Sequence, residues 1–290
     1  MVMFLPAKVL EEKLRSMLAE DLGEGDITTG LMVPVGTTAE AEVRCKESGV
    51  AAGIEEAEVL LESLELKVEA LVRDGDGMKK GQTMLRVSGD ARTILSSERT
   101  LLNILCRMSG IATVTRRLVK KIQGAKLNTK VACTRKSAPG LLYFDKKAVL
   151  LGGGDTHRLH LDDMILIKDN HITISGNLRT AVMNAKKNAS FSKKIEVEAK
   201  SVAEAIEAAK AGVDAIMLDN FSPKQIERAI ENLEKVGFRK NVLLEASGGI
   251  NVENMMDFAS KKVDIVSLGG ITDSAKALDI NMKICRVLNK

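Results

Sequence analysis

The feature that most constrains the fold is a regular alternation of short β-branched runs with amphipathic segments in the second half of the chain. Four such runs are clear, and they begin at Lys194, Ala215, Val242 and Asp264. Each intervening segment opens on a Ser or Asn that suits a helix N-cap and then carries an apolar stripe at helical spacing. This alternation predicts parallel strands, because each helix carries the chain back to the start of the next strand.

Two earlier apolar runs extend this series. They begin at Lys130 and Met164 and bring the strand count to six or seven. A closed or nearly closed α/β barrel is the economical arrangement for so many parallel strands. An open doubly wound sheet is the alternative, because the number of strands does not decide whether the sheet closes.

The first part of the chain is predicted to be mixed α and β structure. One helix is expected at 8–21 and a longer one at 96–122, while glycines within 72–89 indicate short strands in tight hairpins. A swinging-arm carrier domain has similar hairpins. Neither Lys79 nor Lys80 is a convincing modified lysine, so this alternative is not favoured.

Composition indicates a protein of one or two folded domains that does not span a membrane. With 290 residues, of which 45% are hydrophobic, the chain can form one large domain or two of ordinary size. Its four cysteines are scattered without paired spacing, and no stretch approaches the roughly 18 uninterrupted apolar residues of a membrane span. We therefore expect a cytoplasmic protein with reduced thiols that does not enter a membrane.

Positive charge is concentrated in one region. The net charge is only +4, yet residues 99–168 contain 14 Lys and Arg against 4 Asp and Glu. A nucleic-acid groove would explain such a surplus, but aromatic residues are 2% of the chain, with no Trp, so bases would find few stacking partners. Small anionic ligands are the better prediction.

Charged residues stand at the ends of nearly all predicted strands. In a parallel barrel these ends converge on one face, so the residues are predicted to line one cleft. A cluster of cations is tolerable when bound anions relieve its repulsion, and guanidinium groups bind carboxylates and phosphates at two points. The cationic candidates are Arg135, Lys136, His157, Arg158 and Lys168, with Arg99 on the preceding helix as a further candidate.

The alternative for these cations is a structural role. Arg135 and Arg158 could pair with Asp155, Asp162 or Asp163 in loops, in which case they would bind no ligand. A zinc site built from the three histidines is not favoured, because cysteine partners are remote.

Glu198 and Asp219 occupy equivalent positions on consecutive predicted strands. Two carboxylates beside a cationic cleft suit Mg²⁺, which takes one or two protein carboxylates together with substrate phosphates. The pair therefore predicts a substrate that carries pyrophosphate. A glycosidase also uses two carboxylates, but it has no need of the surrounding cations.

Glycine-rich turns follow the last two predicted strands. Without Cβ atoms, such turns let backbone N–H groups approach a phosphate closely, and barrel phosphate sites favour these late loops. The alternative is that the glycines only shape tight turns. The residues concerned are Ser247, Gly248 and Gly249 in one turn and Gly269 and Gly270 in the next.

Together, these motifs resemble the quinolinate phosphoribosyltransferase family from about residue 20 onward. The most specific runs are TRKSAPGL from Thr134, GGGDTHRLHLDDMILIKDNHI from Gly152 and LEASGGI from Leu244. The resemblance implies an α/β fold with an incomplete α/β barrel of six or seven parallel strands and an N-terminal α/β sandwich domain. The implied domains are 1–110 for the sandwich, joined by the tail 275–290, and 111–274 for the barrel.

The resemblance also implies an activity. It is the transfer of a phosphoribosyl group from 5-phosphoribosyl-1-pyrophosphate to quinolinate with decarboxylation, which gives nicotinate mononucleotide, pyrophosphate and carbon dioxide in NAD biosynthesis. The implied cofactor is Mg²⁺ held by Glu198 and Asp219. The implied assembly is a homodimer or a higher homo-oligomer with shared active sites, in which Arg99 reaches into the site of the partner subunit.

Individual roles follow from the same resemblance. The residues expected to be catalytic are Lys136, Lys168, Glu198 and Asp219. Those expected to hold quinolinate are Arg135, His157, Arg158 and Lys168, and Thr134 is a further residue expected to bind substrate. Lys136 is also expected to face the sugar phosphate and pyrophosphate. The residues expected to hold the 5′-phosphate are Ser247, Gly248, Gly249, Gly269 and Gly270.

One position departs from the family pattern. The family often shows the run G-A-L-T-H-S, and this chain has Asp273 where that run has its histidine. An acid there would repel a phosphate unless it turns away or pairs with a cation.

Two other functions stay open. A related phosphoribosyltransferase could act on nicotinate or another small acid, although the surplus of cations favours a substrate with two carboxylates. A non-catalytic relative could bind a phosphorylated metabolite, although such a protein has no need of the acidic pair Glu198 and Asp219.

Overall fold

The computed structural model describes residues 5–289, so residues 1–4 and 290 of the predicted terminal ranges lie outside the described residues. The described chain divides into two compact units. The first comprises the described residues up to Arg116, Tyr143–Gly153 and the segment from Ala275 onward. The second comprises Arg117–Leu142 and Gly154–Ser274.

The elements alternate along most of the chain. The strands are β1 (Thr38–Cys45), β2 (Gly49–Val50), β3 (Lys67–Ala70), β4 (Gly77–Met78), β5 (Thr83–Asp90), β6 (Lys130–Cys133), β7 (Ile165–Ile167), β8 (Ile195–Ala199), β9 (Ala215–Asp219), β10 (Leu243–Ser247), β11 (Ile265–Leu268) and β12 (Ile280–Asn289). The helices are α1 (Ala7–Leu22), α2 (Ile27–Met32), α3 (Ile54–Ser63), α4 (Ala91–Gly124), α5 (Leu142–Leu151), α6 (Asp169–Ser175), α7 (Leu178–Asn188), α8 (Val202–Ala211), α9 (Pro223–Lys235) and α10 (Met255–Ala259). Two short 3-10 helices lie at Arg239–Asn241 and Gly269–Ile271. Over the described residues, none of the helices combines the length and apolar character needed to cross a bilayer.

The first unit is built on a four-stranded antiparallel sheet in the order β12, β1, β5, β3. Every second residue of β1 is buried, from Ala39 to Cys45, so one face of the sheet covers the core of this unit. β12 runs antiparallel along β1, from Ile280 opposite Cys45 to Asn289 opposite Thr38. The end of the chain is therefore an integral part of the first unit.

The helices of this unit follow the predicted pattern with one difference. α1 covers the helix predicted at 8–21 and buries Leu10, Leu14 and Leu18. α4 begins earlier than the predicted residue 96, because the carboxylate of Asp90 accepts the backbone N–H of Thr93 at 2.8 Å and so caps the first turn.

The second unit is built on a six-stranded parallel sheet in the order β6, β11, β10, β9, β8, β7. β6 and β7 are the two edges, and among the described residues they do not pair with each other. The sheet is therefore open, as in an incomplete barrel. With the antiparallel sheet of the first unit, this arrangement confirms the predicted fold class.

The helices between the late strands begin mostly as predicted. Ser201 and Ser222 cap α8 and α9 through their hydroxyl groups. α10 is shorter than the predicted helix. The side chain of Asn251 accepts the backbone N–H groups of Glu253 and Asn254, and its carbonyl accepts the N–H of Met255, so it caps the turn that leads into this helix.

A cation is buried among acids in the first unit. The ammonium of Lys147 lies 2.7 Å from the completely buried Glu56, and it also contacts Glu55 and Asp74. Burial raises the pKa of Glu56, and Lys147 opposes this rise. Burial lowers the pKa of Lys147, but the surrounding carboxylates outweigh it and raise the pKa overall. These charges are compatible with burial only as a set.

We expect Lys147→Met to destabilise the first unit by about 3 kcal/mol, because it leaves the Glu56 carboxyl buried without its cation. Unfolding in urea, followed by circular dichroism, measures the effect. Lys8→Met is the matched control, since it removes a lysine that is paired with Glu11 on the surface, and it should change the midpoint little. Equal stability of both variants would show that the buried cluster does not stabilise the unit.

Candidate active site

A cleft of about 340 Å³ opens at the carboxyl ends of the parallel strands of the second unit. Its wall is mostly charged or polar, as predicted from the strand ends. The residues that line it are Thr134, Arg135, Lys136, His157, Arg158, Leu166, Lys168, Glu198, Met217, Asp219, Glu245, Ser247 and Gly248.

Strand register explains why residues far apart in sequence meet here. Side chains alternate along a strand, and residues opposite each other on neighbouring strands share a face. Glu198 and Glu245 both lie opposite Met217, and Asp219 lies opposite Ser247. The residues that alternation and register place on this one face are Glu196, Glu198, Met217, Asp219, Glu245, Ser247 and Ser267.

Arg158 is a buried cation that forms no ion pair within the described part of the chain. It is 8% exposed, its Nη1 donates to the carbonyl of Met164 at 3.3 Å, and its Nε is buried with no hydrogen-bond partner. Burial lowers the pKa of Arg158, and the nearby Arg135 lowers it further. A buried guanidinium in this state calls for an anion.

The loop acids do not supply that anion. Asp155 accepts the backbone N–H of His157 and lies near Lys130, while Asp163 accepts the N–H of Leu159. Within residues 5–289, neither Arg135 nor Arg158 forms an ion pair with an Asp or Glu side chain. The two arginines therefore do not form the ion pairs with Asp155, Asp162 or Asp163 that a purely structural role would require.

Lys168 differs from the arginines because it already has a partner. Its ammonium forms an ion pair with the carboxylate of Glu198 across neighbouring strands. Asp219 stands on the next strand, half-buried, on the same face. The two acids predicted to act together thus share the wall of the cleft, with one of them engaged by a lysine.

The first glycine turn has no room for a side chain at Gly248. Its φ is +85°, and a Cβ there would lie 2.8 Å from the backbone nitrogen and 2.5 Å from Oδ1 of Asn220. Gly249 also has a positive φ, of +64°, but its surroundings are open. Both positions need glycine conformations, and Gly248 needs the space as well.

The second glycine turn lies against two predicted residues. A Cβ on Gly269 would approach Lys136 Cδ to 2.9 Å and Thr134 Oγ1 to 3.5 Å, whereas Gly270 is open. Asp273 also adjoins this turn, since its backbone N–H donates to the carbonyl of Gly269. Its carboxylate accepts the hydroxyl of the adjacent Ser274.

Beneath the cleft, His157 contacts two buried carboxylates. Its Nε2 lies 3.0 Å from Glu245 Oε2 and 3.4 Å from Glu196 Oε2. The hydroxyl of Ser267 donates to the other oxygen of Glu245 at 2.6 Å. Glu196 is not one of the predicted site residues. Period-two alternation could have found it, because it stands two positions before Glu198 and so faces the same side.

The two carboxylates also raise the proton affinity of His157. Burial lowers its pKa, but the neighbouring Glu196 and Glu245 outweigh this effect and raise it to about 10. On the other side of the ring, Nδ1 accepts the backbone N–H of Arg158 at 2.6 Å. Burial raises the pKa of Glu196, and His157 offsets this only in part.

Four predicted site residues are not among those that line this cleft, namely Arg99, Gly249, Gly269 and Gly270. The three glycines belong to the adjoining turns, whereas Arg99 lies elsewhere. It is exposed on α4, within the first unit. Its predicted contribution to the site of a partner subunit stays a prediction.

A larger concavity, of about 580 Å³, lies in the first unit. Four acids line it, namely Glu55, Glu58, Asp74 and Asp76, with Arg73 as the one cation. Such a wall repels anionic ligands, so this concavity is not the candidate active site.

Family models match both parts of the chain. Residues 26–109 match the N-terminal domain of quinolinate phosphoribosyl transferase, and residues 111–283 match its C-terminal domain. The chain belongs to this family. The resemblance drawn from the motifs is confirmed.

Individual relatives agree with the family match. The chain is 44% identical to a probable carboxylating nicotinate-nucleotide pyrophosphorylase of Methanothermobacter thermautotrophicus, over 93% of this chain and 97% of that one. It is 34% identical to the human carboxylating nicotinate-nucleotide pyrophosphorylase, over 98% and 94%. A solved structure of the nicotinate-nucleotide pyrophosphorylase from Francisella tularensis superposes with a TM-score of 0.86 at 35% identity, over 97% and 98%.

We expect Gly248→Ala to disturb the first glycine turn much more than Gly249→Ala, because only the former brings a Cβ into Asn220. Both variants carry a similar conformational penalty of about 1 kcal/mol for a non-glycine residue at positive φ. The added overlap should lower product formation in Gly248→Ala at least tenfold relative to Gly249→Ala. Equal rates for the two alanine variants would contradict this view of the turn.

Proposed function

We propose that this chain is a decarboxylating quinolinate phosphoribosyltransferase. It transfers a phosphoribosyl group from 5-phosphoribosyl-1-pyrophosphate to quinolinate and yields nicotinate mononucleotide, pyrophosphate and carbon dioxide, a step of NAD biosynthesis. The named relatives that cover nearly the whole chain support this activity. The single observation of the site that carries it is the buried Arg158 guanidinium, which forms no ion pair within residues 5–289 and whose Nε has no hydrogen-bond partner.

The cations of the cleft position the pyridine. Arg158 and Arg135 match the two carboxylates of quinolinate by charge and by two-point geometry. Lys136 packs over the second glycine turn, where it faces the phosphates of the donor. The protein thus contributes orientation and electrostatic complementarity, and no covalent intermediate with the protein is required.

The chemistry then needs two bond changes at the sugar. The bond between C1 and the pyrophosphate oxygen breaks with both electrons leaving on pyrophosphate, and the pyridine nitrogen bonds to C1. Glu198 and Asp219 stabilise the positive charge that develops on the ribose. Once the ring nitrogen is quaternary, the 2-carboxylate departs as carbon dioxide, because the electron pair left on the ring carbon is stabilised by the adjacent positive nitrogen. That carbon then takes a proton from water, which completes nicotinate mononucleotide.

Glu198 and Asp219 also fit Mg²⁺. Their oxygens are the hard ligands that this ion takes, and one or two carboxylates with substrate phosphates are its usual set. Bound there, Mg²⁺ would neutralise charge on the departing pyrophosphate. Lys168, which pairs with Glu198, would hold that carboxylate in place.

Assembly and location are part of the proposal. We place the enzyme in the cytoplasm as a homodimer or a higher homo-oligomer, with 1–110 and the tail 275–290 as the sandwich domain and 111–274 as the barrel domain. Arg99 supports shared sites, since it is an exposed arginine on α4 and is absent from the cleft of its own second unit.

Two alternatives are less well supported. A phosphoribosyltransferase for nicotinate would need to neutralise one carboxylate, whereas two arginines without acidic partners face this cleft. A non-catalytic binder of phosphorylated metabolites would not need Glu198 and Asp219 on one wall. Supplying the purified protein with quinolinate or nicotinate, the donor and Mg²⁺, and following nicotinate mononucleotide, separates all three.

We expect Arg158→Ala to raise the KM for quinolinate about 100-fold or more, because two charge-assisted hydrogen bonds of roughly 1.5 to 3 kcal/mol each are lost. The KM for the donor should change much less. Arg228→Ala, on the exposed side of α9, is the matched control and should behave as the wild type. An unchanged KM for quinolinate in Arg158→Ala would remove this residue from the pyridine pocket.

Shared sites predict complementation between inactive subunits. Arg99→Ala and Asp219→Asn should each abolish activity, whereas a mixture of the two after joint refolding should regain up to about a quarter of wild-type activity. This fraction follows if half of the dimers are mixed and each mixed dimer keeps one intact site. Absence of any recovery in proven heterodimers would place Arg99 outside the partner's site.

A further inference from the structure

An acid stands on the second glycine turn, where the proposed function places phosphate groups of the substrates. Measured from the point where a Cβ of Gly269 would lie, Oδ2 of Asp273 is 3.3 Å away and Cδ of Lys136 is 2.9 Å away. Lys136 also lines the cleft. The carboxylate and the lysine stem thus flank the same carbon of the turn, so Asp273 does not turn away from it.

The protein does not neutralise the charge of Asp273. Its carboxylate accepts the hydroxyl of Ser274, and within residues 5–289 it forms no ion pair with Lys136 or with any other cation. The residue is exposed to solvent. An acid at this position would spare a phosphate only by turning away or by pairing with a cation, and Asp273 does neither.

The shape of the turn does not require this charge. The backbone N–H of Asp273 donates to the carbonyl of Gly269 at 3.1 Å, and its side chain needs only an oxygen that accepts from Ser274. The hydroxyl of Thr272 donates to the carbonyl of Lys136 at 2.6 Å and so ties the turn to the loop after β6. An asparagine at 273 would keep all of these bonds. The negative charge therefore acts on what binds at the turn rather than on its shape.

We propose that Asp273 sets the affinity of the second glycine turn for phosphate: its negative charge opposes the attraction of Lys136 and so weakens the hold on the 5′-phosphate that the donor and the product share. The proposal rests on the proposed function, because it takes this turn to bind a phosphate of the donor. Lys136 and Asp273 bring opposite charges to one place, so the turn meets the phosphate with little net charge. A weaker hold on the phosphate favours release of the product.

Two substitutions separate charge from shape. Asp273→Asn removes the charge and keeps an oxygen for Ser274, whereas Asp273→Glu keeps the charge. We expect the KM for the donor and the Kd for nicotinate mononucleotide, measured by calorimetry, to fall at least about threefold in Asp273→Asn. Asp273→Glu should keep both constants within about twofold of wild type. A gain in affinity is a specific readout, because damage to the turn would weaken binding.

Quinolinate and a second acid of the same unit provide the controls. Quinolinate carries no phosphate, so its KM should stay within about twofold of wild type in Asp273→Asn. Asp257→Asn neutralises an exposed acid on α10 and should change neither KM. An equal gain in affinity for quinolinate would show that the charge acts on the whole cleft, and it would overturn the proposal.

Salt tests whether the effect is electrostatic. Exposed charges are screened by ions, so the gain in Asp273→Asn should shrink when the ionic strength rises from about 50 mM to about 500 mM. A gain that does not depend on salt contradicts the proposal. Unchanged or weaker binding of the donor and of nicotinate mononucleotide in Asp273→Asn also overturns it, and weaker binding would show that Asp273 helps to hold these ligands.

Ribose 5-phosphate keeps this proposal apart from the proposed function, because it carries the phosphate but has no pyrophosphate to lose. If the wild-type protein forms no nicotinate mononucleotide, yet Asp273→Asn binds ribose 5-phosphate more tightly than the wild type does, the proposed function fails and the role of Asp273 stands. If product forms and the two proteins bind ribose 5-phosphate, donor and product equally, only the role of Asp273 fails.

Discussion

The candidate site depends on the parallel, in-register alignment of β8, β9 and β10. Backbone hydrogen bonds set Glu198 and Glu245 opposite Met217, and Asp219 opposite Ser247. A slip of one residue in any of these strands would turn its functional side chains to the helix-covered face. The chemistry is therefore specified by strand register, which itself is specified by the apolar residues on the other face of the sheet.

The two faces of this sheet have opposite effects on the free energy of folding. Val197, Ile216 and Leu218 are fully buried, and their burial stabilises the scaffold by roughly 1.5 to 3 kcal/mol each. The cleft face instead buries Glu196 and Glu245, whose solvation is lost on folding. The hydroxyl of Ser267 recovers part of that loss by donating a hydrogen bond to Glu245, and the ring of His157 lies close to both carboxylates. The fold thus tolerates the buried Glu196 and Glu245, because burial of the apolar face and these polar contacts together offset the lost solvation.

Sequence patterns predicted the part of the molecule that local chemistry decides. The alternation of β-branched runs with amphipathic segments predicted the parallel strands. The polar residues at the strand ends predicted the wall of the cleft, from Arg135 to Ser247. The pairing of Lys168 with Glu198 and the burial of Arg158 without an acid were beyond reach, because both depend on side-chain directions across different strands and loops.

The cations of the cleft form two kinds, and this difference bears on what the site binds. Lys168 is neutralised by Glu198, so its charge is balanced before any ligand arrives. Within the described residues, Arg135, Lys136 and Arg158 have no acidic partner, and Arg135 further lowers the pKa of Arg158. A site that keeps such repulsion gains most from ligands that carry several negative charges. A pyridine dicarboxylate beside a sugar phosphate with pyrophosphate supplies them, whereas a single carboxylate would leave part of the repulsion in place.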